Sequence, residues 1–165
     1  MIFDVQTILK TDGARVPVQG KVALPEDFQN MEISFVEDAV FSGTLENIGG
    51  VLELSGDVSG SFTVPCARCM KEVAENYRVS VNETLAHEDA EVSDRDDVIP
   101  FSGNSVDLGS AIWPNVLLAL GTKYLCKPDC KGLCPMCGVD LNEASCNCKH
   151  DDIDPRLAGL ADLLK

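Results

Sequence analysis

Positive charge is scarce in this chain of 165 residues, in which 13 Lys and Arg face 27 Asp and Glu. The formal charge of −14 disfavours broad contact with a nucleic-acid backbone, because such contact depends on clustered Lys and Arg. Aromatic residues make up only 5 %, so the core must rest largely on Val, Leu and Ile. Apolar residues reach 45 %, which is enough for a core and argues against a wholly disordered chain.

Sequence features of membrane, exported and enzymatic proteins are also missing. No apolar run approaches the 18 residues of a membrane span, and residues 1–5 lack the pattern that opens a signal peptide. We therefore expect a cytoplasmic protein without membrane contact. There is no Gly-rich dinucleotide motif, P-loop, GxSxG or HExxH, and we predict no catalytic residue and no small-molecule substrate.

Cysteine, in contrast, is abundant, with eight residues in the chain. In the reducing cytosol, clustered cysteines bind metal more often than they form disulfides. A short spacer in a tight turn brings two thiolates to one zinc ion at about 2.3 Å, and Pro135 and Gly138 favour such a turn, a zinc knuckle. Four thiolates leave no open position for water or substrate, so we predict structural and not catalytic metal.

The eight predicted ligands divide most naturally into two tetrathiolate zinc sites. The first would join two segments nearly sixty residues apart and consists of Cys66, Cys69, Cys126 and Cys130. The second is local in sequence and consists of Cys134, Cys137, Cys146 and Cys148. One zinc site alone is also possible, because Cys146 and Cys148 are close for two ligands of one ion. His150 could replace a cysteine in the second site. Disulfides, free thiols and an iron–sulfur cluster are the alternatives.

The N-terminal half is typical of antiparallel strands with one buried face. The predicted strands cover residues 15–24, 36–48, 51–64 and 72–85, with a turn at 47–50 and the Cys66–Cys69 turn before the last strand. Gly56 and Gly60 suggest bends or bulges. The predicted class is α+β: a β meander, or barrel-like N-terminal half, with a few helices and a C-terminal Cys-rich zinc module.

We expect three regions within one compact unit. They are a β-rich region over residues 1–82, an acidic loop or linker over 83–105, and a helix with the zinc module and a C-terminal helix over 106–165. The first helix is predicted over residues 107–120, with Asp107 as N-cap, Trp113 in the core and Pro114 as a kink or division. The last, short and amphipathic, is predicted over residues 154–165.

The Cys-rich segment and the tail resemble the bacterial YceD family, described as large ribosomal RNA subunit accumulation proteins. Residues 126–142 read Cys-x3-Cys-Lys-Gly-Leu-Cys-Pro-x-Cys-Gly-x-x-Leu-Asn, and residues 154–160 read Asp-Pro-Arg-Leu-Ala-x-Leu. The resemblance covers nearly the whole chain. It implies a cytoplasmic role in ribosome assembly, with a ribosomal protein or a precursor particle of the large subunit as partner, and it implies no catalysis.

Acidity and resemblance together predict a non-enzymatic factor that supports ribosomal RNA accumulation mainly through protein contacts. A small cluster of Lys123, Lys127 and Lys131 could touch a phosphate, so direct RNA contact is possible but not favoured. Two alternatives stay open. Cys66-Ala67-Arg68-Cys69 could serve a thiol–disulfide oxidoreductase, or the zinc module could bind RNA.

Overall fold

The computed structural model describes residues 1–25, 33–90 and 97–148, so the helix predicted over 154–165 and His150 lie outside the described residues. Within these ranges no helix is both long and apolar enough to cross a membrane. The elements in chain order are β1 (Ile2–Asp4), α1 (Gln6–Leu9), β2 (Arg15–Val22), β3 (Ser34–Phe35), β4 (Ala39–Ile48), β5 (Val51–Pro65), β6 (Glu72–His87), β7 (Ile99–Phe101), β8 (Ser105–Asp107) and α2 (Leu108–Ala119).

One large sheet dominates the fold, with the strand order β2-β4-β5-β6-β7 and β3 paired beside β5. Its neighbours are antiparallel except β6 and β7, which are parallel, while β1 and β8 form a separate two-stranded ribbon. Strands and helices together confirm the α+β prediction, and β4, β5 and β6 form the expected meander. Across the described strands the sheet stays open, ending at β2 and β7, so the barrel-like arrangement is not confirmed.

The hairpin of β5 and β6 is long and regular. Its register runs unbroken from Leu52 opposite Leu85 to Pro65 opposite Glu72. Of the bends or bulges expected at Gly56 and Gly60, the bulges are not present. The glycines make room instead: a Cβ on Gly60 would lie 2.5 Å from the Tyr77 hydroxyl.

Helix α2 covers the apolar face of the sheet. Its residues Leu108, Ile112 and Val116 are fully buried, as their helical spacing predicts. The Asp107 carboxylate accepts a hydrogen bond from the Gly109 N–H at 3.0 Å and so caps the helix as expected. Pro114 lies inside α2 without dividing it.

Five of the nine aromatic residues form one cluster. The Phe35 ring lies edge-on against Trp113, with centroids 5.1 Å apart, and also contacts Phe62 and Tyr77. Trp113 is 1 % exposed and its indole N–H donates to the Ala23 carbonyl at 2.8 Å, which confirms its predicted place in the core. Phe62 in turn contacts Tyr124 at 5.3 Å, so the cluster extends from the core toward the cysteines.

Strand β6 continues into the segment that was expected to be an acidic loop. It ends only at His87, because Leu85 and Ala86 are buried and β7 pairs with residues 85–87. Apolar side chains among the acidic ones thus favour a strand where charge alone predicted solvent exposure. The division into three regions stays a prediction.

Asn47 has a structural role that its turn-like sequence context concealed. Its side-chain N–H groups donate to the Ile8, Leu9 and Thr11 carbonyls at the end of α1, at 2.9, 3.3 and 3.0 Å. Its side-chain oxygen accepts from the Gly50 N–H at 2.9 Å. At 1 % exposure these groups have no access to water. One buried amide therefore closes both the helix and the hairpin turn.

We expect Asn47→Ala to lower the free energy of unfolding by about 2–3 kcal/mol, because it removes the four hydrogen bonds of one buried side-chain amide. Urea denaturation measures the change. Asn76→Ala, at an exposed strand position, is the control and should shift the midpoint very little. Equal stability of both variants would contradict this account of Asn47.

Candidate metal centres

The first pair of cysteines lies in the turn at the tip of the β5–β6 hairpin. The Met70 N–H donates to the Cys66 carbonyl at 3.0 Å, and the Cys66 N–H donates to the Lys71 carbonyl at 2.8 Å. These two bonds fold residues 66–71 into a compact loop that directs both sulfurs to one side. The unbroken ladder below holds the loop in place.

A second loop with the same hydrogen bonds lies at residues 134–139. The Gly138 N–H donates to the Cys134 carbonyl at 2.8 Å, and the Cys134 N–H donates to the Val139 carbonyl at 2.8 Å. Gly138 has a φ of +74°, which suits a residue without a Cβ, and the equivalent Met70 has a φ of +61°. The two loops are therefore equivalent knuckles, although only the second carries the expected glycine.

Tyr124 brings the second half of the first group to the hairpin tip. Its ring contacts Phe62 on β5, and its carbonyl accepts from the Ala67 N–H at 2.9 Å. Two residues further on, the Cys126 N–H donates to the Cys66 sulfur at 3.4 Å. Aromatic packing thus positions a segment sixty residues away in sequence.

The four sulfurs of the first group have the spacing of a tetrahedral metal site. The Sγ atoms of Cys66 and Cys130 are 3.9 Å apart, and those of Cys69 and Cys126 are 3.5 Å apart. All four lie within 4.8 Å of one another. Four sulfurs at about 2.3 Å from one ion are about 3.8 Å apart, which is close to these two distances, so the residues present fit a zinc ion.

The remaining four cysteines form the second group. The sulfurs of Cys134, Cys137, Cys146 and Cys148 also lie within 4.8 Å of one another. The structure therefore brings the eight cysteines together in the two sets that the spacing predicts. The short Cys146-x-Cys148 spacing places both sulfurs in the group, and none of the eight cysteines is in a disulfide.

Gly132 allows the two knuckles to touch. The Leu133 N–H donates to the Arg68 carbonyl at 3.0 Å, across the junction. Gly132 has a φ of +79°, and a Cβ there would lie 2.9 Å from that same carbonyl. The Arg68 guanidinium donates to the Cys130 carbonyl at 2.6 Å, which places its positive charge beside the first sulfur group.

Asn142 supports the first group from the segment that follows the second knuckle, a role that sequence spacing did not reveal. Its side-chain N–H donates to the Cys130 sulfur at 3.5 Å and to the Asp140 carboxylate at 2.7 Å. Its side-chain oxygen accepts from the Lys131 N–H at 2.9 Å. The only sequence signal was its place in the family motif.

An ion-pair cluster completes the junction between hairpin tip and Cys-rich segment. The Lys71 ammonium lies 2.6 Å from the Glu143 carboxylate and 3.1 Å from that of Asp140. These carboxylates raise the pKa of Lys71. The Asn142 N–H, its side-chain amide and Lys71 lower the pKa of Asp140 to about 2. Both partners are therefore charged at neutral pH.

Ionisation is uneven among the thiols. The Cys126 N–H lowers the pKa of Cys66 to about 6, against the effect of burial. The Cys137 N–H likewise lowers the pKa of Cys134 to about 6. Hydrogen bonding to Cys69 raises the pKa of Cys126 to about 12, because four thiolates this close repel one another. A cation between the sulfurs removes that penalty, since it favours the thiolate form.

The remaining titratable candidates lie elsewhere. His87 is at the end of β6, with its ring against Phe101 and its Nδ1 3.5 Å from the Asp89 carboxylate. It joins neither sulfur group. Within the described residues, groups of metal-ligand type close enough to share an ion consist of cysteine alone.

Comparison with known proteins identifies the family. The family model described as "Large ribosomal RNA subunit accumulation protein YceD" matches residues 54–164, which contain all eight cysteines. This chain belongs to the YceD family.

Several curated proteins are similar to the chain. An uncharacterized protein of Mycobacterium tuberculosis is 30% identical over 169 residues, which covers 99% of this chain and 81% of the relative. An uncharacterized protein of Bacillus subtilis, YlbN, is 28% identical, covering 66% of this chain and 63% of the relative. A maize protein called "Large ribosomal RNA subunit accumulation protein YCED homolog 1, chloroplastic" is 26% identical, covering 63% of this chain and 46% of the relative. No solved structure matches the chain.

The left-handed backbone conformation at Met70 leads to a prediction about the stability of variants at this position. Met70 is 63 % exposed, so its side chain contributes little packing, whereas its φ of +61° is unfavourable for any residue with a Cβ. We expect Met70→Gly to be as stable as the parent or up to about 1 kcal/mol more stable. Met70→Ile should lose about 1 kcal/mol or more, because β-branched residues tolerate positive φ worst.

Thermal unfolding of the metal-loaded protein measures both changes. The matched control is the same pair of residues at Met136, which is 67 % exposed in the second knuckle and does not have a positive φ. At position 136, the glycine variant should not be more stable than the isoleucine variant. If Ile proved more stable than Gly at position 70, the equivalence of the two knuckles would be wrong.

Proposed function

We propose that this protein is a non-enzymatic factor that supports large-subunit ribosomal RNA accumulation and ribosome assembly in the cytoplasm. Family membership and the name of the maize relative support the ribosomal role. The observation that carries the proposal for mechanism is the pair of four-sulfur groups at the junction of the hairpin and the C-terminal segment. Such closed groups suit a scaffold, because they leave no coordination position for a reacting molecule.

We further propose that zinc occupies both groups. All-sulfur tetrahedral sites suit zinc, and the sulfur spacing fits metal–sulfur bonds of about 2.3 Å. The eight cysteines would hold the two ions, with the Asn142 side-chain N–H stabilising the thiolate of Cys130 and Arg68 bound to the Cys130 carbonyl. When bound, zinc supplies cross-linking and charge compensation, and it performs no step of a reaction.

The three regions then act as one compact unit. The first site takes Cys66 and Cys69 from the β-rich region and Cys126 and Cys130 from the C-terminal region, so metal ties the two regions together. The Lys71 ion pairs and the Leu133–Arg68 hydrogen bond support the same connection.

Charge supports contact with a protein and not with RNA. Two tetrathiolate zinc sites contribute about −2 each, which takes the formal −14 to about −18. Such a charge repels phosphate and attracts basic ribosomal proteins. A ribosomal protein or a precursor particle of the large subunit is therefore the proposed partner. Local contact of Lys123, Lys127 or Lys131 with RNA is a secondary possibility.

The oxidoreductase alternative gains little support from the surroundings of Cys66 and Cys69. A redox CxxC pair of the thioredoxin type lies at the start of a helix, where N–H groups stabilise one thiolate. Here the pair lies in a hairpin turn between β5 and β6. The sulfurs also have close partners in Cys130 and Cys126, as a shared metal site requires.

The zinc proposal predicts about two zinc ions per chain by elemental analysis of the purified protein. Cys69→Ser should reduce this to about one and cost several kcal/mol of unfolding free energy, because structural zinc binding contributes directly to folding. Ala67→Ser introduces the same side chain in the same knuckle without removing a ligand. It should retain both ions.

Treatment with a metal chelator provides the result that could contradict the zinc proposal. A protein that keeps its full secondary and tertiary structure in excess chelator, with no loss of stability, would contradict the structural role of the metal.

The cellular role predicts a defect in large-subunit RNA. In a YceD-family host, deletion of the encoding gene should lower the ratio of large-subunit to small-subunit ribosomal RNA and of the corresponding particles in sucrose gradients. The wild-type protein and Ala67→Ser should restore the ratio, whereas Cys69→Ser should not. An unchanged ratio after deletion would contradict the proposed function.

A further inference from the structure

We propose that the outer edge of β6 binds an extended, Lys- and Arg-rich segment of a partner protein as an added strand. The inference rests on the proposed function and deepens it, because it names the surface and the kind of segment that it takes. Added strands of this type are held by backbone hydrogen bonds, with side chains providing selectivity.

Strand β6 has a long edge without a partner strand in the part of the chain that the structure describes. On one side it pairs with β5 from Glu72 to Leu85. On the other side β7 pairs only with residues 85–87. The edge along residues 72–84 therefore presents unpaired backbone groups.

The direction of these backbone groups follows from one hydrogen bond. The Glu88 N–H donates to the Phe101 carbonyl of β7 at 3.0 Å. Because successive residues of a strand point to opposite edges, the even-numbered residues of β6 face the same way. They include Ala74, Asn76, Arg78, Ser80 and Asn82.

This edge lacks three of the features that protect free strands from pairing, namely lysine, proline and a bulge. Proteins commonly blunt such edges with lysine, proline or a bulge. The opposite edge of the sheet, β2, has Pro17 and Lys21. Residues 72–84 contain no lysine, proline or glycine, and their register against β5 has no bulge.

The charge of the β6 edge determines which kind of segment binds to it. Glu72 and Glu75 are exposed on this strand, and the guanidinium of Arg78 already pairs with the Asp57 carboxylate at 3.0 Å. The edge is thus acidic in a protein of charge −14. A second copy would bring like charges together, whereas a basic extended segment is attracted.

The test uses proline at outward-facing positions. Asn76→Pro and Asn82→Pro remove N–H groups from the free edge but none from the β5 ladder. Asn76→Ala and Asn82→Ala are the matched controls, because they change the same side chains and keep the N–H groups. The probe is the mixture of proteins extracted from purified large ribosomal subunits, applied to the full-length, zinc-loaded chain.

We expect the wild-type chain and the alanine variants to bind one or more basic proteins of the mixture, and the double proline variant to bind about tenfold less. Hydrogen exchange of the wild-type chain should slow at residues 74–82 on binding. This second measurement does not depend on how well the proline variant folds.

Three other outcomes are possible, and they distinguish failure of the edge proposal from failure of both proposals. Equal binding by the proline variant, without slowed exchange at residues 74–82, would overturn the edge proposal and leave the proposed function standing. A dimer in sedimentation that the proline variant abolishes would assign the edge to a second copy and overturn it as well. Failure of the wild-type chain to bind any protein of the mixture would count against both.

Discussion

Four thiolate sulfurs cannot lie within 4.8 Å of one another in a stable protein unless a cation or protons offset their repulsion. The fold brings this situation about twice. At the first group it does so with residues from two segments sixty positions apart, so the order of the hairpin tip and of the chain after Tyr124 depends on the same compensation. Partial ionisation, with a low pKa at Cys66 and a high one at Cys126, is what thiols alone can reach.

The rest of the molecule positions and stabilises the junction between the β5–β6 hairpin tip and the chain after Tyr124. The unbroken β5–β6 ladder places Cys66 and Cys69, while packing of Tyr124 on Phe62 directs the incoming segment to them. The Leu133 N–H, next to the second knuckle, donates to the Arg68 carbonyl of the first knuckle. Since the two groups share these contacts, order in one favours order in the other.

Features set by local spacing could be predicted from the sequence. Three of these features involve only neighbouring residues, so they can be predicted without knowledge of the tertiary structure. They are the short Cys spacers, the Asn47–Gly50 turn and the Asp107 cap. The partition of the eight thiols followed from counting ligands. The buried position of Trp113 followed from helical spacing, as did the burial of Leu108, Ile112 and Val116.

Features that depend on tertiary contact could not be predicted. In the sequence, Asn47 and Asn142 have the appearance of ordinary turn residues. Their roles depend on contacts with residues distant in sequence, the end of α1 for Asn47 and the Cys130 sulfur for Asn142. Met70 gives no local sign of a positive φ, because methionine seldom adopts one. Gly56 and Gly60 were misread as bulges, since the residues that approach them come from neighbouring strands.

The single tryptophan has a practical consequence. Trp113 is enclosed by the core, with its ring against Phe35 and its N–H on the Ala23 carbonyl. Its fluorescence therefore reports on the packing between α2 and the sheet, while the absorbance of a chromogenic thiol reagent reports on the exposure of the cysteines. The same sample thus offers two optical signals, by which loosening of the core and opening of the cysteine clusters can be followed separately in time.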